Sequence, residues 1–176
     1  MGQNWYENGG GYKIFVKVSL NIGCGSEILR DISGFKCINV DIRPLKGVAV
    51  VCDVKHLPFP DECFERILAS DIIEHFPLSE TEKLLKEWAR VLKIGGNIKF
   101  RTPSLKWVAN YYNATGDAKF VSWHIFGGQD YETNFHYVIF DKEWLEKICN
   151  KFSLVTVDYK ENYSNFELVM NKKEVN

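Results

Sequence analysis

Apolar and polar side chains alternate over residues 14–22, where Ile14, Val16, Val18, Leu20 and Ile22 share one face, the spacing of a strand. Short β-branched runs at 37–41 (CINVD) and 48–53 (VAVVCD) each stop at an aspartate, and a further strand is expected at 64–70 (FERILAS). The period then changes. Leu84, Leu85, Trp88, Val91 and Leu92 form a helical stripe, Ser79 and Glu82 predict a capping box, and Gly95-Gly96 predict the stop. Alternation returns at 97–102, a helix is expected around 104–113, and Asp141 should cap another that turns Trp144, Leu145, Ile148 and Cys149 inward. Two closing runs, 153–159 and 165–171, read as an antiparallel pair joined by 160–164.

Strands alternating with helices and closed by a hairpin predict a Rossmann-like α/β three-layer sandwich, its sheet mostly parallel with a C-terminal antiparallel hairpin. Parallel neighbours need a crossover of about a dozen residues or more. Only 26–36 and 42–47 separate the first three strands, so the sheet should be trimmed at its first crossovers. No repeat or linker divides the chain, and residues 1–176 read as one domain with 1–12 as a loose lead-in.

Composition narrows the function. The 176 residues are 45% hydrophobic and 26% charged, as expected of a soluble globular domain. Lys+Arg 22 against Asp+Glu 23 leaves no basic excess, which argues against a nucleic-acid partner. No apolar run approaches the ~18 residues of a membrane span. The first ten residues lack a signal-peptide layout, and five cysteines without a C-x-x-C pair read as reduced thiols of a cytoplasmic protein.

Candidate chemistry falls at strand ends, where open α/β sheets bind ligands. Gly23-Cys24-Gly25 follows the first strand, and the polar segment after it reads as a helix start. Asp41 ends the second strand, 18 positions after Gly23, where a carboxylate can accept from both hydroxyls of an adenosine ribose. Asp53 ends the third, and Ser70-Asp71 the fourth. A dinucleotide fingerprint would need glycine at position 28, which is Ile28, and Glu27 would oppose a pyrophosphate at a helix start. S-adenosyl-L-methionine carries a sulfonium and an ammonium instead of phosphate, so it tolerates Glu27.

The stretches LNIGCGSE, NVDI, CDVKHLPFPDECFERILASDIIEHF and EWARVLKIGGNIKFRTPS resemble the class I S-adenosylmethionine-dependent methyltransferases over about 16–104. The later stretch HIFGGQDYETNFHYVIFD is similar to a bacterial and archaeal methyltransferase group suspected of modifying sugars or cell-surface glycans. The resemblance implies that Gly23, Cys24 and Gly25 pass under the methionine part of the cofactor, Asp41 holds the ribose, and Ile42 lies against the adenine. It also implies that Asp53 binds the adenine amino group with Val54 nearby, and that Ser70 and Asp71 face the methionine end. Asn21 stands where the family usually has an acidic residue, and Glu27 where it has a third glycine.

Of the four histidines, His56 reads as a surface residue and His75 as a mouth, cap or core residue. His124 and His136 flank a loop rich in glycine, polar groups and aromatics, expected to be the acceptor-side lid. Gln129, Asp130, Tyr131 and His136 would offer it polar groups, and Trp123, Phe126 and Phe135 would exclude water or stack on a sugar ring. His136 or Asp130 is the candidate general base. No spacing such as H-E-x-x-H appears, so no metal ligand is assigned. The expected reaction is methyl transfer to a hydroxyl or amine of a small-molecule or saccharide acceptor. Competing readings are a non-catalytic S-adenosylmethionine-binding module, which Asn21 and Glu27 favour, and a nucleotide-dependent oxidoreductase, which Glu27 and Ile28 oppose.

Overall fold

The computed structural model describes residues 5–7, 13–15, 17–31 and 34–174. Strand β1 (Trp5–Glu7) pairs antiparallel with β2 (Lys13–Phe15) in a small sheet of their own. The run expected as one strand over 14–22 is therefore two, and only β3 (Lys17–Ile22) enters the main sheet. Val16 lies outside the described residues, as does most of the 1–12 lead-in, of which 5–7 is a strand.

The main sheet continues with β4 (Phe35–Asp41), β5 (Val50–Val51), β6 (Phe64–Ser70), β7 (Leu92–Pro103), β8 (Leu154–Asn162) and β9 (Asn165–Lys172). Its order is β5-β4-β3-β6-β7-β9-β8, with parallel pairing from β5 to β7 and antiparallel pairing through β9 and β8. This is the expected Rossmann-like α/β fold. β5 is shorter than the 48–53 run, because the chain reaches the β4 edge only at its end.

Helix α1 (Leu78–Val91) starts one residue before the expected cap. Pro77 occupies the cap position, Ser79 is already helical, and no side chain caps the helix. Glu82 instead pairs with Lys151. The helix also stops before Gly95-Gly96, since Leu92 turns extended and pairs with Phe64. Between Leu92 and Asn97 the strand bulges, and Gly96 is tightly enclosed there: a Cβ would lie 2.9 Å from the Lys93 carbonyl. Helix α2 (Leu105–Thr115) is capped by Ser104, and α4 (Lys142–Cys149) by Asp141, whose Oδ1 accepts from Trp144 N. Between them lies a helix the periodicity does not announce, α3 (Ala118–Phe126), capped by Asp117.

Leu20, Ile22, Val40, Ile67, Ala69, Ile98, Phe100, Phe166, Leu168 and Met170 form one core with Leu84, Leu85 and Trp88 of α1 and Leu145, Ile148 and Cys149 of α4. Alternate positions, Ser19, Arg66, Lys99, Arg101 and Glu167, face the other way and are polar, with Lys99 paired to Glu167 and Arg101 to Asp71. Over that face the segment following β3 forms no helix. Residues 23–31 are coil, pinned by asparagines that sit in register on neighbouring strands, Asn21 and Asn39. Asn39 accepts from Leu29 N and donates to Leu29 O, both at 2.9 Å, and Asn21 donates to Glu27 O and Asn39 Oδ1. These amides satisfy backbone groups that a helix would have satisfied itself. Among the described residues, no helix is long and apolar enough to cross a membrane.

Candidate active site

Strand order reverses between β3 and β6, and the crevice outside their carboxyl ends is where this architecture holds ligands. A cavity of about 560 Å³ opens there. The β3 end contributes Asn21, Gly23, Cys24 and Gly25 to its wall, and the β4 end Asp41 and Ile42. Asp53 and Val54 come from beyond β5, and Ser70 and Asp71 from the end of β6. All ten sequence-derived cofactor positions thus share one wall.

Gly23 and Gly25 have φ of +61° and +52°, the left-handed region that favours glycine. A Cβ on Gly23 would lie 2.5 Å from Ile72 Cδ1, so the turn rests directly on that side chain. Asp41 is 4% exposed; its Oδ2 accepts from Gly25 N at 2.7 Å, and its Oδ1 accepts from the backbone N and Nε of Arg43. Burial pushes this carboxyl up, but the Arg43 guanidinium and the two backbone N–H groups outweigh it and hold the carboxyl below its ordinary value. Asp71, held by Asn165 Nδ2 and Arg101, is pushed up by burial.

The segment 53–63 owes its shape to α1. Trp88 Nε1 donates to Val54 O, and Glu87 Oε1 accepts from Leu57 N. Arg90 donates to Leu57 O, Phe59 O and Asp61 Oδ1, and pairs with Glu87. Asp53 and Val54 reach the cavity because α1 holds the turn behind them.

The opposite wall comes from the loop between α3 and α4, through Tyr131, Glu132, Thr133, Phe135 and Tyr137. Tyr137 N donates to Glu74 O at 2.8 Å, and Arg43 lies 5.0 Å from the centre of the Tyr131 ring. The loop is therefore tied to both banks of the crevice. Its start is fixed at Gly127, φ +79°, where a Cβ would meet Asn134 O at 2.7 Å.

Several expected lid residues lie elsewhere. His124 is buried inside α3, which takes up the beginning of the expected loop. Trp123, Phe126 and Gln129 line a separate groove beside α3. Asp130 is exposed, accepts from Asn134 Nδ2, and is not on the cavity wall; the tight Gln129–Asn134 turn directs it outward. His136 is also off the wall, since its Nδ1 contacts His124 O at 2.9 Å and draws the ring inward. It packs edge-to-face on His75, which does line the cavity, with ring centres 4.8 Å apart. His56 is exposed.

Sequence reasoning passed over Glu74, in the short 3-10 turn Ile73–His75. It is fully buried beside the Thr102 hydroxyl, and neither carboxyl oxygen makes a well-formed hydrogen bond among the described residues. Burial, with Asp71 adding to it, pushes the carboxyl up to about 8. The ligand-bearing atoms of Glu74, His75 and His136 lie within 4.8 Å of one another.

The cavity wall carries five carboxylates (Glu27, Asp41, Asp53, Asp71, Glu132) against the cations Arg43 and Lys55. Such a wall suits a cationic ligand and opposes a pyrophosphate.

Residues 20–100 match the family model described as a methyltransferase domain. A human protein described as probable tRNA methyltransferase 9B is 43% identical over 61 residues, 34% of this chain and 13% of that one. The chain thus spans a small part of that relative's length. A SAM-dependent methyltransferase from Methanosarcina mazei superposes with TM-score 0.65 at 18% identity, covering 90% of this chain and 93% of that one. The 1,6-didemethyltoxoflavin N1-methyltransferase of Burkholderia thailandensis, solved with S-adenosylhomocysteine bound, superposes with TM-score 0.63 at 13% identity over 90% and 72% of the two chains.

Proposed function

We propose that this chain, a class I methyltransferase by its fold and by the match of its central segment, transfers a methyl group from S-adenosyl-L-methionine to a hydroxyl or amine of a small-molecule or saccharide acceptor. The activity is carried by one domain, residues 1–176. The supporting observation is the meeting of the ten cofactor candidates on one acidic wall at the switch point. The residues fit the group: the glycine turn leaves backbone space that a Cβ at Gly23 would fill, and Asp41 presents a buried carboxylate at the ribose position. When bound, S-adenosyl-L-methionine supplies an electrophilic methyl on a sulfonium.

The chain's own task is alignment and exclusion of water. Gly23–Gly25 and Ser70-Asp71 hold the methionine end, Asp41 the ribose, and Ile42, Asp53 and Val54 the adenine. Tyr131, Phe135 and Tyr137 close the acceptor side with rings and keep water out. Asp130 and His136 do not reach the wall, so neither is assigned the role of base. None of the five cysteines is in a disulfide, which fits a reducing cytoplasmic setting.

The near-zero net charge favours a small or saccharide acceptor, whereas the human relative's name favours RNA. Calorimetry with S-adenosylmethionine, S-adenosylhomocysteine and NAD tests the cofactor. Binding of NAD alone would overturn the reading. Methyl-labelled cofactor offered with small-molecule, polysaccharide and RNA fractions of a cell extract tests the acceptor, and label confined to RNA would overturn the saccharide assignment.

A further inference from the structure

We infer that Glu74, His75 and His136 form a divalent-cation site beside the acceptor half of the cavity. The ligand set is two imidazoles and one carboxylate, a combination suited to Zn²⁺, Mn²⁺ or Fe²⁺ with further coordination positions left open.

Three independent features carry this. The first is proximity: all three ligand atoms lie within 4.8 Å of one another. Ligands on one tetrahedral ion at bonds of ~2.1 Å sit ~3.4 Å apart, so closure requires side-chain shifts of about 1 Å. The second is the state of the histidines. His75 Nδ1 lies 3.0 Å from Phe135 O, and His136 Nδ1 lies 2.9 Å from His124 O. A carbonyl oxygen only accepts, so each Nδ1 carries the proton and Nε2 is the nitrogen left to ligate, with the Thr133 carbonyl also bonding to the His75 ring. Backbone carbonyls behind the ring are a common way to orient metal-binding histidines. The third is Glu74 itself, a fully buried carboxyl beside the Thr102 hydroxyl whose two oxygens make no well-formed hydrogen bond among the described residues. A cation bound there would give the carboxyl oxygens the partner they lack.

The site is also built from two walls of the crevice. Glu74 and His75 follow β6, while His136 comes from the loop, which is clipped to Glu74 O through Tyr137 N. A bound ion would cross-link the loop to the sheet. His75 lies on the cavity wall, so an ion held by its ring would sit beside the acceptor space. A hydroxyl bound there becomes more acidic. Its O–H bond breaks, the proton passes to water, and the oxygen keeps the electron pair on the metal. That role rests on the proposed methyl transfer; the binding of the ion does not.

The test is metal binding by the chelator-stripped full chain, measured by equilibrium dialysis against Zn²⁺ and Mn²⁺ and by the visible spectrum with Co²⁺. We expect one equivalent, and a Co²⁺ spectrum of nitrogen and oxygen ligation without a thiolate charge-transfer band. Glu74→Gln and His136→Ala should each weaken binding by about 10–100-fold, while His56→Ala, at an exposed position, leaves it unchanged. Should Glu74→Gln fail to fold, His136→Ala gives the same reading from the loop side. Stoichiometry far below one, a thiolate band, or wild-type affinity in a folded His136→Ala overturns the site. Calorimetry with S-adenosylhomocysteine on the same preparations separates the two claims, since metal without cofactor binding overturns only the methyltransferase reading.

Discussion

A methyl group added to Gly23 has no room, because Ile72 Cδ1 already lies 2.5 Å from where it would stand, and the backbone there has φ +61°. Gly23→Ala combines steric overlap with left-handed strain. It should lower stability by about 1–3 kcal/mol and abolish S-adenosylhomocysteine binding, read by denaturant melts and calorimetry. Asp41→Asn keeps the shape of the side chain, but Gly25 N and Arg43 N donate to different carboxylate oxygens, so the single amide oxygen can serve only one of them. Losing the charge removes charge-assisted bonds worth ~1.5–3 kcal/mol, so cofactor affinity should fall roughly 10–100-fold in a folded protein. An unchanged dissociation constant would take Asp41 out of the site. The pH dependence follows from the lowered carboxyl. Its folded value lies below the ordinary 3.8, so its stabilisation is complete above that value and is lost as pH falls through the lower one. Asp41→Asn should therefore lower the neutral plateau of the stability profile and flatten this acid limb.

Between elements, the most consequential contacts are those by which Glu87, Trp88 and Arg90 of α1 hold the 53–63 turn. Arg90→Met leaves the Leu57 and Phe59 carbonyls without their guanidinium donor. It should cost about 1–3 kcal/mol and weaken cofactor binding as well, because Asp53 and Val54 hang from the same turn. A melt and a binding isotherm on one preparation check both effects. Strands and the α1 stripe were legible because buried positions dominate them: Leu84, Leu85, Trp88, Val91 and Leu92 are all fully buried. The capping box at Ser79 and Glu82 was not realised, since Pro77 already starts the helix and Glu82 is drawn to Lys151. Helix α3 escaped notice because it has only His124 buried and therefore no apolar stripe; its available signal was Asp117 ahead of Ala118 and Lys119. The cavity-lining residues at the strand ends could be read because glycines and aspartates mark those ends locally. The Glu74, His75 and His136 group could not, because one partner is brought in by a loop far along the chain, a relation no local spacing records.

At the scale of the whole molecule the two faces of the sheet are built differently. One carries the continuous core under α1 and α4. The other is polar, and beside the cavity its cover is the coil 23–31, held by the Asn21 and Asn39 amides. Asn39→Ala strands Leu29 N and Leu29 O together and removes one of the two acceptors of Asn21. It should cost about 2–3 kcal/mol, with a larger proportional loss in cofactor affinity than in global stability. Equal losses would mean that the coil is not a separate unit.

A segment whose order is lent by side chains opens more readily than one closed by its own helical ladder. The Leu29 amide, donated to Asn39 Oδ1, is thus a natural clock for this corner of the protein. In the free chain its hydrogen should exchange with solvent deuterium well before those of the buried central strands. With the glycine turn pinned by a bound nucleoside, its exchange should slow by the factor through which the ligand is saturating. Ligand occupancy would then be readable at a residue whose side chain the sheet, rather than any helix, keeps in place.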